Sequence, residues 1–390
     1  MKITSLKTFF VRPRWLFLRV TTDEGVTGWG EPSVEGRAHT SAAAVEDLAE
    51  YLIGKDPLEI ERHWQLLTKG GFYRGGPVLS SAVAGIDQAL WDIAGKVRGA
   101  PAHELLGGPV RDRMRVYGWI GGDRTGEYTP EQVAEEALGQ IARGHTALKM
   151  NASSQMLPVD TLERTREVVA RLEAVREAIG PERDIAIDGH GRLSRATAKR
   201  LLPLLEPYHP LFVEEPTPPE HQESLGELTS ITSIPIATGE RLFSRWDYKQ
   251  LLGTGVAIWQ PDASHAGGIS EMQRIVAMAE TYDVWVAPHC AIGPIALAAC
   301  LQVCFASQNV LIQECGLGYS EPGLENWSSQ ILEYLVDRSI FELHDGFIER
   351  PTKPGLGIEI DEKELERAVI VGEKGHLPNW RHADGSLAEW

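Results

Sequence analysis

Hydrophobic positions cluster in short runs over residues 3 to 11, 15 to 22 and 26 to 30, all rich in Val, Ile, Thr and aromatic side chains, the pattern of strands. Asp23-Glu24-Gly25 supplies a hairpin turn between the second and third runs. A three-stranded antiparallel meander is predicted. The pattern then becomes that of a helix over residues 40 to 53, 57 to 68 and 80 to 96, where Val83, Ile86, Leu90 and Ile93 share one face. These helices would cover one face of the meander, giving a small α+β domain that ends at Leu106-Gly107-Gly108-Pro109.

From there the pattern becomes strand and helix in strict alternation. Strands are predicted at 115 to 119, 146 to 150, 184 to 188, 211 to 214, 234 to 237, 257 to 260, 284 to 287 and 310 to 313. The clearest helices between them cover 160 to 179, 269 to 282 and 295 to 305. Short apolar strands repeated in βα units predict a parallel sheet buried on both faces, and eight such units predict closure into a barrel. An open doubly wound sheet would want a Gly-rich phosphate turn after an early strand, and the chain has none. The fold class expected is therefore α/β, a (β/α) barrel with an N-terminal α+β capping domain. Expected boundaries are 1–112 for the cap, 113–346 for the barrel and 347–390 for a C-terminal segment that packs back on the cap.

Composition narrows the partners. A chain of 390 residues, 43% hydrophobic and 24% charged, is an ordinary globular protein of two domains, or a small domain attached to a barrel of roughly 200 to 250 residues. Its net charge of −17 argues against nucleic acid and anionic membranes, which call for basic patches. No apolar run reaches membrane-spanning length, and Met1-Lys2-Ile3-Thr4-Ser5 lacks a signal peptide's apolar core, so a cytoplasmic location is expected. The four cysteines, Cys290, Cys300, Cys304 and Cys315, lack zinc-site spacing and are expected to be reduced and mostly buried.

In an α/β barrel chemistry sits at the C-terminal ends of the strands. Here those ends read Lys149-Met150-Asn151, Asp188-Gly189-His190, Glu214-Glu215-Pro216, Gly239-Glu240-Arg241, Gln260-Pro261-Asp262, Pro288-His289 and Gln313-Glu314. Asp188, Glu214 and Glu240 fall on three adjacent strands at one level. Three converging carboxylates repel one another unless a cation neutralises them, and an all-oxygen set favours a hard ion, Mg2+ first and Mn2+ second. His289 has a candidate partner in Asp262 one strand earlier, as a general base requires. His190 lies two positions from Asp188, on the same strand face. Two histidines facing a metal from different strands suggest an acid and base pair. His265 lies beyond a strand end, where a structural or substrate-contacting role is expected.

The order of these groups, with Glu240, the Asp262 and His289 pair and Glu314 following in sequence, resembles the mandelate racemase branch of the enolase superfamily. The resemblance extends to Gly28-Trp29-Gly30-Glu31-Pro32 and to the helix from Ala84 to Asp92. Phe72-Tyr73-Arg74-Gly75-Gly76-Pro77, Asp188-Gly189-His190-Gly191-Arg192, Ser264-His265-Ala266-Gly267-Gly268, Ala287-Pro288-His289-Cys290 and the terminal stretch from Trp380 to Trp390 are similar to those of acid-sugar dehydratases.

The resemblance implies a metal on Asp188, Glu214 and Glu240 that holds the carboxylate of an aldonic acid, D-galactonate being the first expected substrate. It implies that His289, oriented by Asp262, removes the C2 proton and that His190 protonates the departing C3 hydroxyl. Lys149 and a protonated Glu314 would donate hydrogen bonds to the enediolate. Many relatives carry Lys-x-Lys at the end of the second strand and use the second lysine as a base on the opposite face; here that position is Asn151, whose amide cannot serve. Substrate contacts are expected from Asn151, Arg14, Trp15, Tyr73, Arg241 and His265, and specificity from the segment after Glu314. Another acid-sugar dehydratase (of gluconate, for example) or an acid-sugar epimerase is the alternative, and a catalytically silent barrel serving as a binding protein is the reading from outside enzymes. The family implies a symmetric homo-oligomer.

Overall fold

A computed structural model describes residues 1–12, 14–121, 128–316, 332–368 and 379–389. Strands β1 (Ile3–Val11), β2 (Trp15–Thr22) and β3 (Thr27–Gly30) form the expected meander in the order β1-β2-β3. Helices α1 (Ala38–Ala49), α2 (Ile60–Lys69) and α3 (Pro77–Arg98) follow, then one turn, α4 (Ala102–Leu105). Leu18 and Val20 on the meander pack against Ile86, Leu90 and Ile93 of α3, the face that the helical period predicted. Glycine makes the approach possible: a Cβ on Gly30 would lie 1.8 Å from the Gly85 carbonyl oxygen.

The second unit runs β4 (Arg113–Ile120), α5 (Pro130–Ala142), β5 (Ala147–Asn151), α6 (Leu162–Ile179), β6 (Asp184–Asp188), α7 (Arg195–Leu205), β7 (Val213–Glu214) and α8 (Leu225–Thr229). It continues with β8 (Ile236–Thr238), α9 (Arg245–Tyr248), β9 (Ile258–Trp259), α10 (Ile269–Thr281), β10 (Trp285–Val286), α11 (Pro294–Ala306) and β11 (Gln313–Glu314). Strands β4 to β10 pair in sequence order, all parallel. The ring is completed by a parallel bridge between Val286 and Val310 and by β11 pairing with β4, Gln313 opposite Val116 and Glu314 opposite Tyr117. The last strand thus differs from expectation. Its paired part begins at Gln313, and Val310 makes only a bridge.

The period of two sorts each strand. On β5 and β6, Leu148, Met150, Ile185 and Ile187 join the layer beneath the helices. Ala147 and Ala186 face the barrel axis with Tyr117, Phe212, Ala237, Ile258, Ala287 and Ile312. Lys149, Asn151 and Asp188, each two residues further on, therefore point into the barrel at its C-terminal mouth.

The segment from 347 onward begins on the barrel: the strand Phe347–Glu349 pairs antiparallel with β4. It then runs back against the cap. The Leu356 amide donates to Asp92 at 2.9 Å, and Ala102 donates to the Gly355 carbonyl at 2.8 Å.

Candidate active site

Three carboxylates and a lysine occupy the centre of the mouth, all fully buried. Lys149 Nζ lies 2.8 Å from Glu214 Oε2, 3.0 Å from Glu314 Oε1 and 3.1 Å from Asp188 Oδ2. Burial alone would lower the lysine's pKa, but Glu214, Glu314 and Asp188 hold it well above its ordinary value. Its ammonium also sits 4.2 Å from the ring centroid of Trp119. Glu214 shows the reverse: desolvation and then the charge of Asp188 push it well above the usual carboxylate range. One lysine does not offset this much negative charge.

Asp188 Oδ2, Glu214 Oε1 and Glu240 Oε2 are each buried, and none accepts a hydrogen bond among the described residues. Such groups are costly in a low-dielectric interior unless something positive meets them. This donor set fits a hard divalent cation with oxygen ligands. In the present side-chain positions, the grouping whose atoms lie within 4.8 Å of one another is Asp188, His190 and Glu240. Glu214, expected as the third ligand, stands outside that grouping, with its Oε2 2.8 Å from Lys149 Nζ.

His190 sits in the left-handed region at φ 48°, an unusual place for a residue with a Cβ. Its amide donates to Asp188 Oδ1 at 2.8 Å, fixing the turn. The ring is held between Arg192, 3.3 Å from Nδ1, and Asp188 Oδ2, 3.4 Å from Nε2.

Four strands round the ring of eight, His289 projects from the end of β10. Its Nδ1 meets Asp262 Oδ2 at 2.7 Å, and its Nε2 faces Glu240 Oε2 at 3.6 Å and Glu314 Oε2 at 3.9 Å. Burial would lower its pKa, but Glu314, Glu240 and Asp262 raise it well above the ordinary histidine value. Asp262 is depressed in turn: burial opposes its ionisation, and His265 and His289 outweigh that. His265 stacks on His289 with ring centroids 5.9 Å apart, and its Nδ1 meets the Ser81 hydroxyl of the cap at 3.1 Å.

Other expected residues have partners of their own in the structure. Trp15, expected at the substrate, is fully buried beside Phe17 and Trp29. Arg14 is committed to Glu35 at 2.7 Å. Arg241 forms a two-pronged ion pair with Glu215, with Nε 3.0 Å from Oε1, and so supports the strand ends. Glu314 is an acceptor throughout, from Trp119 Nε1, Lys149 and the Cys290 amide at 2.8 Å.

Tyr73 is 86% exposed at a cavity of about 400 Å³ along the seam between cap and barrel. Asn151 is buried opposite Asp188 in the β5–β6 register. The specificity segment expected after Glu314 lies, from residue 317 to 331, outside the described residues. The four cysteines are free and buried, as expected. No helix among the described residues is long and apolar enough to cross a membrane.

Two residues that the sequence reading passed over now stand out. Trp119 walls the lysine and caps Glu314, and its place two residues from the inward Tyr117 was the available signal. Glu31 lies outside the barrel and had only its place in Gly28-Trp29-Gly30-Glu31 to mark it.

Comparison with known proteins agrees with this geometry. The family profile for the mandelate racemase / muconate lactonizing enzyme N-terminal domain matches residues 4–107, and that for the enolase C-terminal domain-like family matches 132–364. The chain is 51% identical to a D-galactonate dehydratase of Ralstonia pickettii (strain 12J) and 50% identical to one of Xanthomonas euvesicatoria pv. vesicatoria (strain 85-10), each over all of both chains. A crystal structure of a mandelate racemase/muconate lactonizing enzyme from Jannaschia sp. CCS1 superposes with a TM-score of 0.86 at 32% identity, covering 97% of this chain and 100% of that one.

Proposed function

The chain belongs to the mandelate racemase / muconate lactonizing enzyme family of the enolase superfamily, and from that premise we propose that it is a hydro-lyase converting an aldonic acid, D-galactonate first, into its 2-keto-3-deoxy acid. The observation that carries this reading is the placement of two imidazoles on opposite sides of the barrel mouth. His289 Nε2 faces the carboxylate cluster from β10, and His190 Nε2 faces it from β6.

The two histidines divide the proton work. Asp262 accepts from His289 Nδ1–H, so Nε2 is the atom presented to the cavity, and a cation held by Glu240 and its neighbours would offset the carboxylates that otherwise keep Nε2 protonated. Nε2 takes the proton from C2 of the substrate. His190 gives its Nε2 proton to the C3 hydroxyl as the C3–O bond breaks, so that water leaves. The remaining enol tautomerises to the 2-keto-3-deoxy acid. Lys149, held among carboxylates, supports the charge that builds on the substrate carboxylate, and Glu314 keeps Trp119, Lys149 and the His289 loop in place.

Asp188, Glu214 and Glu240 would hold the cation, Mg2+ before Mn2+. When bound, it supplies electrostatic stabilisation of the developing carboxylate charge. Magnitudes show why several groups are needed. A rate enhancement of about 10⁶ takes roughly 8 kcal/mol, and one acid or base supplies ~10² to 10⁴. The test is to incubate the protein with Mg2+ and a panel of aldonates including galactonate and gluconate, and to assay 2-keto-3-deoxy product. Turnover of at least one aldonate is expected; none, with metal shown to be bound, overturns the reading.

A further inference from the structure

Glu31 is the first residue after β3 of the cap, and no part of its side chain reaches solvent. Both of its oxygens are used. Oε1 accepts from the Gly293 amide at 2.9 Å and from the Ser33 hydroxyl at 3.2 Å, and Oε2 accepts from the Ala296 amide at 3.0 Å. The two amides belong to the first turn of α11, where backbone N–H groups have no intrahelical partner and a negative charge is favoured. Four residues before Gly293 stands His289. Gly293 is shaped for this contact, since a Cβ there would lie 2.5 Å from Glu31 Oε1.

The backbone of the same residue reaches the other half of the dyad. The Glu31 amide donates to Gln88 Oε1 at 2.7 Å, and Gln88 Nε2 donates to the Ala263 carbonyl at 2.8 Å and to Ser264 Oγ at 2.9 Å. These are the two residues that follow Asp262. The Ser264 amide in turn donates to Asp262 Oδ1 at 2.5 Å. One residue of the cap is thus linked through its side chain to the loop of His289, and through its amide and Gln88 to the loop of Asp262.

We propose that Glu31 is a positioning residue for the reaction: a bracket, built by the capping domain, that fixes the spacing and angle of the His289–Asp262 pair. This rests on the reading of His289 as the base. The physical argument is one of reach. The His289 loop leaves a strand of two residues, so the strand constrains it weakly. Beyond the strand its position is set by hydrogen bonds from several sides: Gln313 Nε2 and the Glu314 amide on the Pro288 carbonyl, Cys300 Sγ on the His289 carbonyl, Asp262 on the ring, Glu314 on the Cys290 amide and, farthest along the loop, Glu31 on the Gly293 amide. Proton transfer is sensitive to displacements well under 1 Å, so removing one point should lower turnover without altering the substrate's own contacts.

The experiment compares full-length wild type, E31Q and E31D, all metal-loaded. E31Q preserves size but turns an NH2 group toward an amide that needs an acceptor. The first readout is steady-state kinetics on the aldonate. The second is the downfield proton resonance of His289 Nδ1–H, assigned by its loss in His289→Asn. For E31Q the expected result is a fall in kcat of tenfold or more with KM within twofold, together with a shifted or broadened resonance, and E31D recovers part of both. Either readout unmoved in folded E31Q overturns the proposal. If E31Q does not fold, E31D is read by the same two criteria; failure of both to fold assigns Glu31 to the fold alone and also overturns it. If wild type turns over no aldonate, the functional reading fails, and the resonance by itself still decides whether the bracket exists.

Discussion

His289 Nδ1 and Asp262 Oδ2 lie 2.7 Å apart although 27 residues separate them in sequence. Consecutive parallel strands bring them together, and the hydrogen bond commits Nδ1 so that Nε2 is the atom presented to the cavity. The expected consequence is that His289→Asn abolishes exchange of the substrate C2 proton with solvent and lowers turnover by ~10² to 10⁴ or more. Loss of deuterium from C2-labelled aldonate checks this, and exchange persisting at the wild-type rate would remove His289 as the base.

His190 stands across the mouth, with Nε2 against Asp188 and Nδ1 against Arg192. Its replacement by Asn should impair loss of the hydroxyl more than loss of the C2 proton. In a single reaction followed by NMR, C2 exchange should then outrun formation of 2-keto-3-deoxy product. Equal suppression of both, or intact dehydration, would show that another group supplies the proton.

Asp188, Glu214 and Glu240 each keep one buried oxygen that accepts no hydrogen bond among the described residues, so a cation held there is expected to stabilise the folded state. A ligand that binds only the folded state at 100 times its Kd adds about 2.7 kcal/mol of stability. Stripping with a chelator is therefore expected to lower the thermal midpoint, with recovery on adding Mg2+. Glu214→Gln should weaken Mg2+ binding measured calorimetrically, without abolishing the fold.

His145 is buried and its Nδ1 has no hydrogen bond among the described residues. Burial first, and the charge of Arg143 second, lower its pKa to about 4. Unfolded, it titrates near 6.5 and takes up a proton that the folded state refuses. Its contribution to stability is therefore fully present above about pH 6.5 and is lost as pH falls toward 4, by on the order of 3 kcal/mol in all. Urea midpoints at pH 7 and pH 5 should differ less for His145→Gln than for wild type; an equal difference would refute this.

Trp15 is a core residue, and its substitution should read as one. Trp15→Ala is expected to cost about 3 to 5 kcal/mol of stability. At a temperature where the variant is folded, KM for the aldonate should stay near the wild-type value. A raised KM with unchanged stability would return Trp15 to the substrate.

Much of this was legible in the sequence, and unevenly so. The cap meander and its helices fell within a few residues of expectation, because strand and helical patterns are local. The acids and histidines at the strand ends were equally legible once eight βα units had implied a barrel. Glu214 and Glu314 were harder. Both were named, but their partners were not, because Lys149 reaches three carboxylates from three different strands and only the closed ring sets those distances.

The sequence by itself determined the order of the elements and the residue type at each strand end, since alternation within a strand fixes which side chains enter the barrel. The tertiary structure decided which of those side chains meet. Asp262 with His289 could be named from neighbouring strand ends, but Lys149 with Glu214, Arg241 with Glu215, and Glu31 with the first turn of α11 could not. They depend on strand register, ring closure and the docking of the cap. Trp15 shows the same division: its strand was legible, but what packs around its side chain depends on the neighbouring elements.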